Sequence, residues 1–270
     1  MNLDKSNRFA PSAIGSEKRC VAWRPDSSSD LFHDAFSFEY IDLVFAVMAH
    51  CSTPWHLCRA RNCDHEPCNE NMLQPMPVQT FQVLTKRLGR ALEYLTTPGR
   101  HERLKQAWRE IGWYFEHPPV DDCTWPLPNV WFGTSISTQA DAYLNLPLLV
   151  QIPAAIRFVS LEPLLEHVGL GRFATPPNAT GPIDWVIVGG ESGPGARPCN
   201  VEWIRSIIAQ CKAADVPVFV KQLGRQPIID VRDDRTISGW RKRALADRKG
   251  GDIEEWPEDL RVRQFPEGSR

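Results

Sequence analysis

Three charged residues stand where a run of apolar residues gives way to small polar ones. They are Lys86 after Phe81-Gln82-Val83-Leu84, Glu162 after Ile156-Arg157-Phe158-Val159, and Lys221 after Val216-Pro217-Val218-Phe219-Val220. A lysine facing an acid across a pocket is equipped to move a proton, so the three are candidate catalytic residues; a structural ion pair is the alternative use of the same groups. Thr85, Ser135 and Ser160 occupy matching positions and are candidate hydrogen-bond donors to a ligand, although short polar residues also end strands in inert folds. After Trp185-Val186-Ile187-Val188 comes Gly189-Gly190-Glu191-Ser192-Gly193-Pro194-Gly195. Glycines let a backbone approach a ligand, and free amides there can hold a carboxylate or phosphate while Glu191 accepts from an ammonium or a hydroxyl. Gly189, Gly190, Glu191 and Ser192 are therefore candidate ligand-binding residues. A tight turn at positive φ, with Glu191 in a salt bridge, is the plainer reading.

A different chemistry is concentrated in residues 51–79, which hold four prolines, four cysteines and two histidines without an apolar period. Cys58, Cys63 and Cys68 are separated by four residues each, with Cys51, His50, His56 and His65 close by. Thiolates and imidazoles suit zinc and iron-sulfur clusters alike. The spacing is not the tight C-x2-C of zinc knuckles, and three readings stay open: structural zinc, an exposed loop of reduced thiols, or a catalytic cluster. The remaining cysteines are scattered singly, which points to reduced thiols and not to a disulfide framework.

The elements that must position these groups repeat. Five short apolar runs each end in a polar cluster, the pattern of parallel strands covered on both faces, whose carboxyl-end loops converge on one site. Between them lie helical periods: Phe38, Ile41, Val44, Phe45 and Met48 behind a capping Ser37, then residues 88–95, 102–115 and 140–150, then Ile204, Ile207, Ile208 and Cys211 behind Asn200. This predicts an α/β fold, a partial parallel (β/α) barrel of TIM-like type. With a weaker strand at residues 19–23 it has about six strands, where a closed barrel needs eight. Residues 1–18 read as a poorly ordered leading segment, 19–224 as the barrel with 51–79 as an insertion, and 225–270 as an irregular tail packed on it. A chain of 270 residues with 42% hydrophobic and 24% charged residues suffices for one such domain. A net charge of -2 gives no electrostatic case for nucleic acid or a membrane surface as a partner. No apolar stretch is long enough for a membrane span and residues 1–18 lack a signal-peptide core, so a cytoplasmic location is expected.

Ser29-Asp30-Leu31-Phe32-His33, FQVLTKR from Phe81, RFVSLEPL from Arg157, WVIVGGESGPGARP from Trp185, FVKQLG from Phe219 and DRKGGDIEEWPEDLRVRQF from Asp247 resemble a phage and prophage family of unknown function. That family is named after the phage gene products thirty-seven and sixty-eight, and the resemblance runs over residues 28–266. It implies a partial β/α barrel related to radical S-adenosylmethionine enzymes, with Asp30 among the ligand-binding positions. It also implies an amino-terminal loop of the form C-x6-C-x2-C, three thiolates being the usual ligands of a cluster with one open iron. Here the chain departs from the pattern, since Cys20 is the one cysteine before Ser28. The Gly189-Gly190-Glu191 tripeptide resembles the element that holds the methionyl amine in radical S-adenosylmethionine enzymes, but stands on a late strand where that element follows the second.

Two functions follow. The first is a radical S-adenosylmethionine-like barrel with a pocket at its strand ends, of unknown substrate and with S-adenosylmethionine as a candidate cofactor, that lacks a catalytic iron-sulfur cluster, as a truncated gene product, a degenerate relative, or one whose metal has moved. The second is a non-enzymatic phage accessory protein that binds a protein partner through the cysteine insertion and the arginines Arg241, Arg243 and Arg248. The charge balance makes nucleic acid the weaker form of that partner and leaves it open.

Overall fold

A computed structural model describes residues 30–52, 55–58, 73–76, 79–111, 124–174, 183–229 and 245–266. The strand candidate at 19–23, the leading segment, Cys63, Cys68, Arg241 and Arg243 lie outside the described residues. The five apolar runs become β3 (Phe81–Leu84), β4 (Val130–Ser135), β5 (Ile156–Leu161), β6 (Trp185–Gly189) and β8 (Val218–Gln222). All four neighbouring pairs are parallel, and the order β3-β4-β5-β6-β8 follows the chain without reversal. The architecture is mixed α/β around a five-stranded parallel sheet. β3 and β8 are its two edges, so among the described residues the sheet does not close into a TIM-like barrel.

The crossovers carry α2 (Leu88–Thr96), α3 (Arg100–Ile111), α4 (Gln139–Leu149) and α5 (Val201–Ala213). Right-handed crossovers in a monotonic strand order put all connecting helices on one face. The burial pattern agrees. Val83, Phe132, Val159, Leu161, Val186, Val188 and Val220 form one core with Leu88, Leu95, Leu146, Ile204 and Ile207 of the helices. The alternate residues Trp131, Phe158 and Trp185, with partly buried Ile156, Ile187 and Phe219, form a second, aromatic cluster on the opposite face. Gly133 makes room there, since a Cβ at that position would stand 2.5 Å from the Phe158 ring.

Local sequence sets the helix ends. The Thr138 and Asp141 side chains exchange bonds with each other's backbone in a capping box at the start of α4, and the Asn200 side chain accepts from the Glu202 N–H at α5. Ser37 caps α1 (Phe38–His50), which buries Ile41, Phe45 and Met48. On its flank the Asp42 carboxylate, 5% exposed, accepts from the Tyr94 hydroxyl at 2.7 Å and from the Arg103 Nε at 3.1 Å, tying α1 to α2 and α3.

Three features depart from the sequence reading. Residues 51–79 are not without structure of their own, because β1 (Trp55–Cys58) and β2 (Leu73–Met76) form an antiparallel hairpin in which Cys58 faces Leu73. Strands this short, one holding Pro75, show no alternation to read. A two-residue parallel pair, β7 (Cys199–Asn200) with β9 (Pro227–Ile228), joins the start of α5 to the segment after β8. Finally, part of the expected irregular tail runs antiparallel along the outer edge of β8. Val220 donates to Val262 O at 2.8 Å, Gln264 donates to Val218 O at 2.9 Å, and Phe219 bridges Arg263. An edge strand so covered is withdrawn from pairing with other chains.

Candidate functional site

Strand register decides which side chains meet at the carboxyl edge of the sheet. On the aromatic face, Ser135 of β4 lies opposite Ser160 of β5, and Ser160 lies opposite Ile187 of β6. One step further on is Glu162, which has Gly189 between it and the end of β8. The absence of a side chain there matters. Two strands of spacing separate β5 from β8, roughly 10 Å, and the glycine leaves that gap open for two long side chains to span. The Lys221 ammonium donates to Glu162 Oε2 at 2.8 Å, and the Gln222 amide donates to Glu162 Oε1 at 2.9 Å and to the Gly190 carbonyl at 3.1 Å. Glu162 is 17% exposed and Lys221 40% exposed, so the carboxylate is held inward while the lysine side chain is partly open to solvent. This arrangement can hold an anionic group on the lysine and a cationic or hydroxyl group on the carboxylate, or pass a proton between them.

A second cluster ends β3. Asp30 Oδ1 accepts from the Thr85 hydroxyl at 2.6 Å and the Phe32 N–H at 2.9 Å, while Oδ2 accepts from the Lys86 N–H at 2.9 Å and Arg87 Nη1 at 3.3 Å. The Thr85 hydroxyl in turn accepts from the Arg87 N–H. Asp30 and Thr85 are thereby engaged in fastening the chain before α1 to the end of β3. The Lys86 side chain acts towards α4: burial raises the Asp141 carboxyl, but hydrogen bonds from Ser137 and Thr138 and the Lys86 charge outweigh it and leave Asp141 lowered.

The glycine loop closes on itself. Glu191 accepts from the Arg197 N–H at 2.8 Å and from its guanidinium at 2.9 and 3.1 Å. These hydrogen bonds hold the Glu191 carboxyl down at about 2, well below the ordinary 4.5. Gly190 packs on the backbone of Leu223, Gly224 at φ +84° packs on Gly190 and Glu191, and Gly250 at φ +66° packs on Gly224. A Cβ on any of the three would strike backbone, so here the close approach that glycine permits is that of three chain segments. Ser192 lies in the same loop, partly exposed.

Of the residues singled out in sequence, Glu162 meets Lys221; Asp30, Thr85 and Lys86 meet each other; Ser135 and Ser160 are neighbours between them; and Glu191 pairs with Arg197. Lys86 does not meet Lys221, because β3 and β8 are the outer strands of five, roughly 19 Å apart along the sheet at about 4.8 Å per strand. Gln222 and Arg197 went unnoticed in sequence. Gln222 directly follows Lys221 and is 9% exposed, but only the bulge between Val188 and Gly189 turns it towards Glu162.

The described cysteines do not fit an iron-sulfur cluster. Cys51, Cys199 and Cys211 are free, and burial raises all three thiols, Cys199 and Cys211 to about 12, which keeps them protonated. Among the described residues no group of three or more histidine, cysteine or acidic side chains is placed to hold a metal. Cys58 ends β1, and Cys63 and Cys68 fall outside the described residues. Among the described residues no helix is long and apolar enough to cross a membrane.

A family model described as a protein of unknown function (DUF5131) matches residues 69–250. That span includes both clusters at the sheet edge apart from Asp30, and it begins after Cys58, Cys63 and Cys68. No curated protein and no solved structure matches the chain.

Proposed function

Since the chain belongs to the DUF5131 family of proteins of unknown function, its activity has to be argued from its own site, and we propose that the carboxyl edge of the sheet is an enzyme-type small-molecule site. In this reading Glu162 and Lys221 are the central catalytic pair, with Lys86 at the far end of the sheet edge and Ser135, Ser160 and the 189–192 loop along it. The 2.8 Å Glu162–Lys221 pair, spanning a strand that ends in glycine, carries the proposal. Strand ends are where barrel enzymes draw catalytic groups.

The scaffold is a partial barrel of radical S-adenosylmethionine-like descent and phage or prophage type, formed by residues 19–224 with 225–270 packed on it. The monotonic strand order and the one-sided helices support the partial-barrel part of this reading. The Glu162–Lys221 pair fits the zwitterionic amino-acid group of S-adenosylmethionine, with Lys221 on the carboxylate and Glu162 on the ammonium. When bound, that cofactor supplies a sulfonium. The cluster that would reduce it has no fitting ligands among the described residues.

Isothermal titration calorimetry with S-adenosylmethionine tests the site. The expected result is binding that Lys221→Met weakens about tenfold, the loss of one charge-assisted contact. A protein that binds no S-adenosylmethionine, or a variant that binds it equally well, overturns the assignment.

The hairpin favours a second reading. β1 and β2 bring Cys58 to the base of residues 59–72, which contain Cys63, His65 and Cys68. A zinc ion held there would make this face an accessory protein's docking element for a protein partner, with nucleic acid the weaker alternative. Zinc, iron and sulfide content of the anaerobically purified protein separates the readings. Stoichiometric zinc lost on Cys63→Ser favours the docking element.

A further inference from the structure

The five-stranded sheet has one covered edge and one bare edge. β8 is covered by residues 262–264, whereas nothing among the described residues pairs with the outer side of β3, and the β1–β2 hairpin forms a sheet of its own. Phe81 and Thr85 donate to Asn129 O and Gly133 O on the β4 side. Backbone groups alternate along a strand, so Gln82 and Leu84 turn their N–H and C=O groups the other way. Those groups meet no partner among the described residues.

The helix beside that edge has an open flank. Asp42 and Ala46 of α1 face α3, through Arg103 and through Ala107 and Trp108. At about 3.6 residues per turn, Tyr40, Val44 and Val47 lie roughly half a turn round from them, as one apolar stripe. Tyr40 and Val47 are exposed and Val44 is partly buried. α1 shares the core of α2, α4 and α5, so it lies on the helical face of the sheet. Right-handed crossovers through helices on that face step the strand order in one direction, from β3 to β4 and on to β8. A parallel strand preceding α1 therefore belongs on the far side of β3, at the bare edge and beside the open flank.

We propose that residues 19–23 of this chain occupy that edge, parallel to β3. Asp30 is fastened to the carboxyl end of β3 through Thr85, Lys86 and Arg87, so the chain ahead of it sets out from that point. Within it Cys20-Val21-Ala22-Trp23 is an apolar run as long as β3, and it stops at Arg24-Pro25-Asp26 as the other runs stop at polar clusters. Residues 24–29 reach up to about 20 Å, several times the roughly 4.8 Å between strands. A segment tethered this closely meets the edge at high effective concentration, which favours it over a second copy of the chain. This strand is the sixth of the scaffold proposed above and owes nothing to the Glu162–Lys221 site, whose ligand is tested separately.

NMR of the full chain tests the pairing. Expected are cross-strand NOEs from the Gln82 and Leu84 amides to α-protons within residues 19–23, in parallel register, with both amides protected from hydrogen exchange. Adjacent residues of a strand turn their N–H groups to opposite sides, so of Val21→Pro and Ala22→Pro one removes a donor to β3 and the other an N–H that faces away. The first should speed exchange at Gln82 and Leu84 at least about tenfold, while Phe81 and Thr85, bonded on the β4 side, keep their protection. Fast exchange at Gln82 and Leu84 in the parent chain, antiparallel NOEs, or unchanged protection in both variants overturns the pairing. NOEs that arise only between differently labelled copies overturn it too, by giving the edge to a second molecule. The parent-chain NOEs decide the matter whether or not a proline variant folds.

Discussion

A Cβ at position 189 would stand 2.9 Å from the Gln222 carbonyl oxygen and 3.4 Å from Gln222 Cγ, in the gap that the Glu162–Lys221 pair spans. The nearest atom is backbone and cannot swing aside, so Gly189→Ala should cost about 1–3 kcal/mol, as overpacking of a close-packed site does. Chemical denaturation reads that cost, and weakened S-adenosylmethionine binding should accompany it. Glu191 makes a separate prediction, about pH. Its folded-state carboxyl titrates at about 2 against an ordinary 4.5, chiefly because Arg197 donates to it. The group is lowered, so its contribution to stability is complete above about pH 4.5 and is lost as pH falls through 2. Carboxyl-carbon NMR of Glu191 should show its midpoint near 2, moving up towards 4.5 in Arg197→Gln. A midpoint already near 4.5 in the parent protein would sink the pairing.

Helices α1, α2 and α3 meet at a buried carboxylate, Asp42, whose loss would leave two polar partners unpaired. Tyr94, with its hydroxyl on Asp42, is itself fully buried, and its ionisation is pushed upward by burial first and Asp42 second. Asp42→Ala strips the partner from both Tyr94 and Arg103 and should destabilise by about 3 kcal/mol, the low end for breaking a buried pair because Arg103 is partly exposed. Tyr94→Phe should cost only about 1 kcal/mol, one net hydrogen bond. Equal losses in denaturant melts would show that the carboxylate is not the hub. At this scale much of the fold is legible in sequence, for an identifiable reason: parallel strands buried on both faces stay apolar throughout, so β3, β4, β5, β6 and β8 stand out as runs. The hairpin of β1 and β2, the two-residue β7 and β9, and the polar Val262-Arg263-Gln264 strap do not. Each is too short or too polar for its period to show, and each is fixed by a partner distant in sequence.

For the molecule as a whole, the chemistry of the proposed site implies that this chain, reconstituted anaerobically with iron and sulfide and then reduced, yields no 5′-deoxyadenosine from S-adenosylmethionine. Reductive cleavage needs a cluster with an open iron, and the Cys199 and Cys211 thiols are buried and protonated. Product formation would refute this, and its loss in Cys58→Ala, Cys63→Ala and Cys68→Ala would place the cluster in the hairpin. The candidate site was only half legible in sequence. Residue type and position past a strand drew attention to Glu162 and Lys221, but their meeting depends on the register of three strands and a bulge, which local sequence does not encode. The strap along β8 has a consequence in time. Residues 223–261 must be synthesised between β8 and the segment that covers it, so on the ribosome the last strand of the sheet emerges with its outer amides and carbonyls bare. For that interval the outer edge of β8 in a nascent chain is open to pairing with another strand.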